Sequence, residues 1–151
     1  MPISDYLMEI RSHVGASLLL MPAATGIIHD DLGRVLVVYT TNEVWGTPGS
    51  ALDPGETPAT AVVREMREEL GIEVVPEALL AVVRQHLVYP HGDEVEYTSV
   101  AFRCRVVAGE ITAADDEVLR WEWVEPAEVV RRGVPIPEHV LYADYSGPPA
   151  F

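Results

Sequence analysis

Gly49-Ser50-Ala51-Leu52-Asp53-Pro54-Gly55-Glu56, followed by Arg64-Glu65-Met66-Arg67-Glu68-Glu69-Leu70-Gly71-Ile72, reads as a loop, a helix and a stop. Thr57 is a good N-cap, because its hydroxyl can accept a bond from an unpaired first-turn N–H. Pro58 follows at the first helical position, where its missing N–H costs nothing. Gly71 stands just past the last helical residue, where a left-handed cap wants glycine. Ala59 to Leu70 contains neither Gly nor Pro, so one helix can run through it.

This helix carries two stripes. Helical periodicity gathers Ala59, Val62, Val63, Met66 and Leu70 on a face expected to be buried. Glu65, Glu68 and Glu69 are neighbours on another, since residues three and four apart meet on a helix surface. These carboxylates repel one another in the C-terminal half of the helix, where the macrodipole disfavours negative charge. A solvated acidic face is the plain reading of such a pattern. A compensating cation is the functional one, and Mg²⁺ suits an all-oxygen site whose waters a substrate phosphate can replace.

The order of residues favours the second reading. The segment resembles the Nudix box, in which Gly, five residues, Glu, seven residues and then Arg-Glu-apolar-any-Glu-Glu-any-Gly-apolar keep a fixed register. Glu56, Arg64, Glu65, Met66, Glu68, Glu69, Gly71 and Ile72 fill their places, and Ser50 stands where the leading Gly belongs. The resemblance implies an α/β fold, an α/β/α sandwich with a mixed β-sheet. In motif it covers Trp45 to Ile72, and in element order about Ala23 to Arg132.

Composition agrees with a globular fold. The chain has 151 residues, 48% of them apolar, which suits a single domain spanning 1–151 with a sizeable core. Its formal charge of −14 repels nucleic-acid backbones, so no nucleic-acid polymer is expected as a partner. A bound cation would reverse the local sign and admit a small phosphorylated substrate. Cys104 is the sole cysteine and reads as a small buried hydrophobe, consistent with a reducing cytoplasm. Met1 to Glu9 lacks a basic leader, and the apolar stretch Leu18 to Ile28 is interrupted and too short to span a bilayer, so no membrane association is expected.

Along the chain, Ser4 to His13 predicts a short helix capped by Ser4, part of an appendage over 1–21 that packs on the domain or on a second copy in a homodimer. Leu18 to Met21 is a short apolar run. Ala23–His29 and Arg34–Thr40 predict strands of one hairpin, turned by Asp30-Asp31-Leu32-Gly33. Val44–Thr47 is extended, with Trp45 bracing the loop, and base stacking by this ring is the lesser alternative. Ile72–Val75 reads as a strand broken by Pro76. Leu79–Tyr89 and Val95–Val107 are expected to pair across Pro90–Asp93. Leu119–Val124 places Trp121 and Trp123 on one side. Ala127–Arg132 and Pro137–Tyr142 predict short helices, and 143–151 a loose tail.

The resemblance implies roles. Nudix enzymes hydrolyse a nucleoside diphosphate linked to another group, water attacking one phosphorus while the other phosphate leaves. Glu65 and Glu69 would be the main Mg²⁺ ligands, with Mn²⁺ as an alternative ion. Glu68 would complete the cluster, and the Gly49 carbonyl would add a backbone ligand. If position 50 needs a positive φ, Ser50 would shift that carbonyl. Arg64 would orient a catalytic Glu, and Glu56 would anchor the loop. Glu65 and Glu68 are candidates for the general base. Among the downstream acids Asp115, Asp116 and Glu117, Glu117 is the preferred extra ligand or base, against the plain reading of a solvated turn. His86 and His91 are assigned no role.

Tyr89 lies 17 residues past Ile72, which resembles the pattern of diadenosine polyphosphate hydrolases and makes it a candidate substrate contact. ADP-ribose, nucleotide sugars and nucleoside triphosphates stay open as small-molecule diphosphate substrates. Two rivals compete with hydrolysis. A nucleotide-sensing module without turnover typically has a broken box, whereas all three helix carboxylates and Arg64 are present here. A prenyl-diphosphate isomerase would need Cys104 in the cleft.

Overall fold

The computed structural model describes residues 4–114 and 116–151; Asp115 lies outside them. The elements follow the order α1 (Asp5–Val14), β1 (Leu19–Ile27), β2 (Val35–Thr40), β3 (Trp45–Gly46), β4 (Gly49–Ala51), α2 (Pro58–Leu70), β5 (Glu73–Val88), β6 (Glu94–Ala108), β7 (Val118–Val124) and α3 (Pro126–Arg131), with a 3-10 turn at Glu138–Leu141. One sheet runs β4-β1-β6-β5 and is mixed, because β1 lies parallel to β6 and antiparallel to β4. The second runs β3-β2-β7.

Both sheets are covered on two sides. On one side Ala61, Val62, Met66 and Leu70 of α2 pack with Ala24 and Ile28 near β1, Leu36 and Val38 of β2, and Cys104 of β6. On the other, Val129 of α3 and Val140 and Leu141 of the 3-10 turn pack with Ile27, Val35, Val37 and Ala101. Alternate residues of β1 and β2 thus serve opposite cores, which is why Val35 to Val38 reads as an unbroken apolar run. Helix, sheet and helix form the sandwich expected from the sequence.

Several expectations change. The hairpin survives only at its turn, where Asp30 Oδ1 accepts the Leu32 and Arg34 N–H groups at 3.0 and 2.9 Å and His29 bridges Val35. Beyond it β1 and β2 part into different sheets, because each needs both faces covered. Pro22 does not separate the two apolar runs before it and after it, and its carbonyl accepts the Leu52 N–H at 3.1 Å within a continuous β1. Pro76 does not end a strand either. It lies in β5, the edge strand of its sheet, at a register shift between Pro76 and Ala78, where a missing N–H is tolerated. The tail is tethered rather than loose: the Ala150 N–H donates to Leu80 O at 3.0 Å and Ala150 O accepts from Val82 at 2.9 Å.

The N-terminal helix forms as predicted, with Ser4 Oγ accepting the Leu7 N–H. None of its residues is fully buried. Arg11 holds it to the body, donating to the Glu94 carbonyl at 2.9 Å and pairing with Asp93 at 3.2 Å.

Candidate active site

The loop and helix of the quoted stretch are locked by their own side chains. Thr57 and Thr60 cap α2 reciprocally, and Gly71 closes it with φ of 69°. Asp53 donates its N–H to Glu56, and the Glu56 N–H returns to the Asp53 carbonyl. Arg64 grips Glu56 with a fork, Nε to Oε1 at 2.7 Å and an amino group to Oε2 at 2.9 Å. The other end of the guanidinium donates to Glu65 and, at 3.2 Å, to Glu68. Arg64 therefore joins loop and helix and orients two carboxylates at once. Its bond to Glu56 raises the guanidinium pKa and holds the Glu56 carboxyl below the usual range.

The buried face of α2 is turned further toward its acids than periodicity alone suggests. Ala61 takes the buried place expected of Ala59 and Val63, and Glu65 and Glu69 are only 1% and 5% exposed. The acidic stripe is thus not a solvated face. Burial pushes the Glu65 carboxyl up to about 7, Arg64 pulls it down, and the charges of Glu68 and Glu117 push it up again. Glu68 stays half-exposed. Glu69 accepts the Gly49 N–H at 3.1 Å.

Gly49 is fixed from behind. Thr25 Oγ1 donates to the Pro48 carbonyl at 2.9 Å and lies 2.7 Å from Thr47 Oγ1, while the Gly26 N–H donates to the same Pro48 carbonyl. Gly49 adopts φ of 146°, and a Cβ there would meet the Ala24 carbonyl oxygen at 2.2 Å. The positive φ belongs to Gly49 and not to Ser50, since Glu43 is the one non-glycine with positive φ among the described residues. Ser50 sits unstrained in β4, paired with Ala24.

A two-lobed cleft opens above this floor. The smaller lobe, about 160 Å³, is lined by Gly49, Glu69, Trp45 and Ser99 among others. The larger, about 680 Å³, is lined by Glu68, Asp53 and residues of α1 and the β5–β6 hairpin. Asn42, Ser50, Tyr89, Tyr97 and Glu117 line both and form the waist between them. Glu117 is brought there by its carbonyl, which accepts the Thr41 N–H at 2.9 Å. Tyr89 bonds Tyr97 hydroxyl to hydroxyl at 2.8 Å, and burial raises both phenols. Of the residues expected at the site, Gly49, Glu68, Glu69, Tyr89 and Glu117 line the cleft. Arg64 and Glu65 lie outside both linings and support it from below.

The other expected residues separate from it. Cys104 packs in the α2-side core, 4% exposed, and burial pushes its thiol up to about 12, so the isomerase rival lacks its cysteine in the cleft. His86 pairs with Glu94 at 2.8 Å. His91 stacks on Tyr89 with ring centroids 5.5 Å apart and faces the larger lobe. Trp45 braces as expected, with the Arg132 guanidinium 4.0 Å above its ring and Tyr39 5.1 Å away, yet its ring also lines the smaller lobe. Sequence reasoning missed Asn42 and Tyr97. Tyr97 reaches the waist through its pairing with Gln85 of β5 and Met21 of β1, and that register has no local signal.

Among the described residues no three acidic, His or Cys side chains converge into a ready-made metal cage. The donor set still fits a hard divalent cation. Buried Glu65, Glu69 on Gly49, Glu68 at the cleft and Glu117 at the waist offer oxygen ligands only. Their mutual repulsion on Glu65 is the cost a cation would relieve.

The NUDIX domain family model matches residues 19–144. A MutT-like protein of Streptomyces ambofaciens is 30% identical over 111 residues, covering 73% of this chain and 67% of that one. An ADP-ribose pyrophosphatase of Methanocaldococcus jannaschii is 36% identical over 97 residues, covering 62% and 56%. The chain spans between about a third and two thirds of the length of the first curated relatives it matches. The MutT protein of Methanosarcina mazei shares the fold with a TM-score of 0.64 at 20% identity, over 81% of this chain and 90% of that one. With the intact box of Glu56 to Ile72 folded as this loop and helix, and a family match running from β1 past the 3-10 turn, the chain belongs to the Nudix family.

Proposed function

We propose that this chain is a divalent-cation-dependent hydrolase cleaving a diphosphate linkage in a small molecule, a nucleoside diphosphate joined to a second group. The carrying observation is the arrangement of the box acids: Glu65 buried beneath the cleft and gripped by Arg64, Glu69 beside Gly49, and Glu68 and Glu117 opening on the lobes. Relatives named ADP-ribose pyrophosphatase and RNA pyrophosphohydrolase support the reaction class. The charge of −14 favours a small substrate over an RNA chain.

Glu65, Glu68, Glu69 and the Gly49 carbonyl would hold the cation, with Glu117 as an added ligand. When bound, Mg²⁺ or Mn²⁺ neutralises phosphate charge and lowers the pKa of water. The chain's own residues supply position and proton handling. Arg64 keeps the Glu65 and Glu68 carboxylates aimed by holding them on one rigid fork. Glu68, half-exposed at the larger lobe, is the carboxylate placed to accept a proton from attacking water, with Glu117 at the waist as the competing base. The Tyr89 and Tyr97 hydroxyls at the waist stay protonated at neutral pH, and the one that accepts in their mutual bond can donate its own proton to a phosphate oxygen.

A panel of nucleoside triphosphates, dinucleoside polyphosphates, ADP-ribose and nucleotide sugars with Mg²⁺, scored by product identification, tests this. Turnover of at least one substrate that chelator abolishes is the expected result. Tight nucleotide binding without hydrolysis of any of them would replace it with the sensing reading.

A further inference from the structure

The larger lobe is built in part from outside the family domain. Its inner wall is α1, through Tyr6, Leu7 and Arg11, and α1 precedes the family match at residue 19. The same groove is also lined by Leu52 after β4 and by Tyr89, His91 and Tyr97 of the β5–β6 hairpin. Tyr6 is 50% exposed, so its ring is available to a ligand. The rings of Tyr89 and His91, in the same lining, are stacked on one another with 11° between the planes.

The charge of the groove narrows what it can hold. Asp53, Glu68, Asp93 and Glu117 line it, and Arg11 is the only arginine among the described lining residues. That guanidinium is committed to the Asp93 carboxylate and to the carbonyls of Gly15, Ser17 and Glu94. With Glu68 and Glu117 given to the cation in the hydrolase reading, a phosphate tail reaching past it toward α1 would meet Asp53 and the Arg11-paired Asp93 and no uncommitted arginine, which is unfavourable at short range. An uncharged planar ring would instead find the aromatic rings of Tyr6, Tyr89 and His91 in the lining.

The geometry points to α1 as a specificity wall: the larger lobe takes an uncharged, planar organic group of nucleobase size carried on one end of the diphosphate, stacked between Tyr6 and the Tyr89–His91 pair. This rests on the hydrolase reading only in placing the diphosphate at the waist. The preferred substrate is then a diphosphate with an organic group on each end, rather than one ending in free phosphates.

The test measures binding by the full chain in the presence of Mg²⁺, using methylene-bridged diphosphonates that resist hydrolysis, esterified with adenosine at both ends or at one. The wild type should bind the two-ended compound about tenfold tighter than the one-ended one, the usual worth of one stacked base. Tyr6→Ala should remove that preference and leave the one-ended affinity unchanged. Tyr6→Phe should restore it, and Met8→Ala, on the outer side of α1 and off the groove, should leave both affinities as in the wild type. Leu7→Glu, a second variant on the same wall, should weaken the two-ended compound alone. Equal binding of the two compounds by the wild type, or equal weakening of both by Tyr6→Ala, overturns the inference. A preserved preference without turnover of any hydrolysable substrate of the panel would instead remove the hydrolase reading and leave the wall standing.

Discussion

Gly49 and Ser50 divide between them what the box's leading glycine was expected to do. The strained backbone and the close approach to Ala24 fall on Gly49, so Ser50 is tolerated and Gly49 is not replaceable. Gly49→Ala should lower stability by about 1–3 kcal/mol in urea unfolding from backbone strain alone, with a further loss as the Cβ pushes β4 off β1. Glu69→Gln keeps an oxygen for the Gly49 N–H but deletes a ligand charge. It should reduce Mg²⁺-dependent turnover by about a hundredfold or more while leaving the unfolding midpoint near wild type, and an active variant would remove Glu69 from the ligand set. Glu65 offers a test of pH dependence. Its folded pKa, pushed up to about 7, exceeds that of an unfolded Glu near about 4.3. The folded state therefore prefers the protonated form. The stability contributed by protonated Glu65 is full below the unfolded pKa and is lost as pH rises through the folded one. Without metal, Glu65→Gln should match the wild type near pH 4 and gain on it through pH 5 to 8, by on the order of 3 kcal/mol at most. A difference that does not change with pH would show that the carboxyl is not destabilised by burial.

At the scale of elements, local chemistry was readable and pairing was not. The limits of α2 were legible in Thr57, Pro58 and Gly71, because a cap and a stop are decided within a few residues. The β5–β6 hairpin and the Trp121–Trp123 side of β7 were legible for the same reason. The split of β1 and β2 into separate sheets was not, since strand partners are chosen by contacts far along the chain. The same holds for the site. Glu65, Glu68 and Glu69 share one helix face and could be found by spacing, whereas Arg64 and Glu117 came from the family resemblance. Asn42, Tyr97 and the α1 wall reach the cleft only after folding. Helix α1 buries none of its residues fully and hangs on Arg11, so its docking is predicted to be the weakest in the fold. Arg11→Ala should raise amide exchange across Asp5–Val14 toward that of an isolated short helix, which is marginal in water. The exchange of α2 should stay unchanged; slowed or equal exchange in α1 would mean that apolar contacts, not Arg11, hold it.

For the whole molecule, the decisive property is where its positive charge lies. The chain contains no lysine, and its ten basic residues are all arginines against 24 acids. Among the described residues, nine of them stand in ion pairs with Asp or Glu, from Arg11 with Asp93 to Arg132 with Glu122. Arg103 donates to the Tyr145 carbonyl. Such a molecule has little of its own charge to spare for a diphosphate, and the neutralising charge has to arrive with the substrate. A cation that binds the folded acids and not the unfolded chain must then stabilise the fold by mass action. At a concentration a hundredfold above its dissociation constant, Mg²⁺ should add about 2.7 kcal/mol, which for a chain of this length is a rise in Tm of roughly 5–10 °C. Sodium chloride at matched ionic strength controls for screening of the net charge, which acts over the whole surface and is blind to the box. A Tm rise with Mg²⁺ that NaCl does not reproduce, and that shrinks in Glu69→Gln, is the expected result. Equal shifts with both salts would show that the acids of α2 are not a cation site.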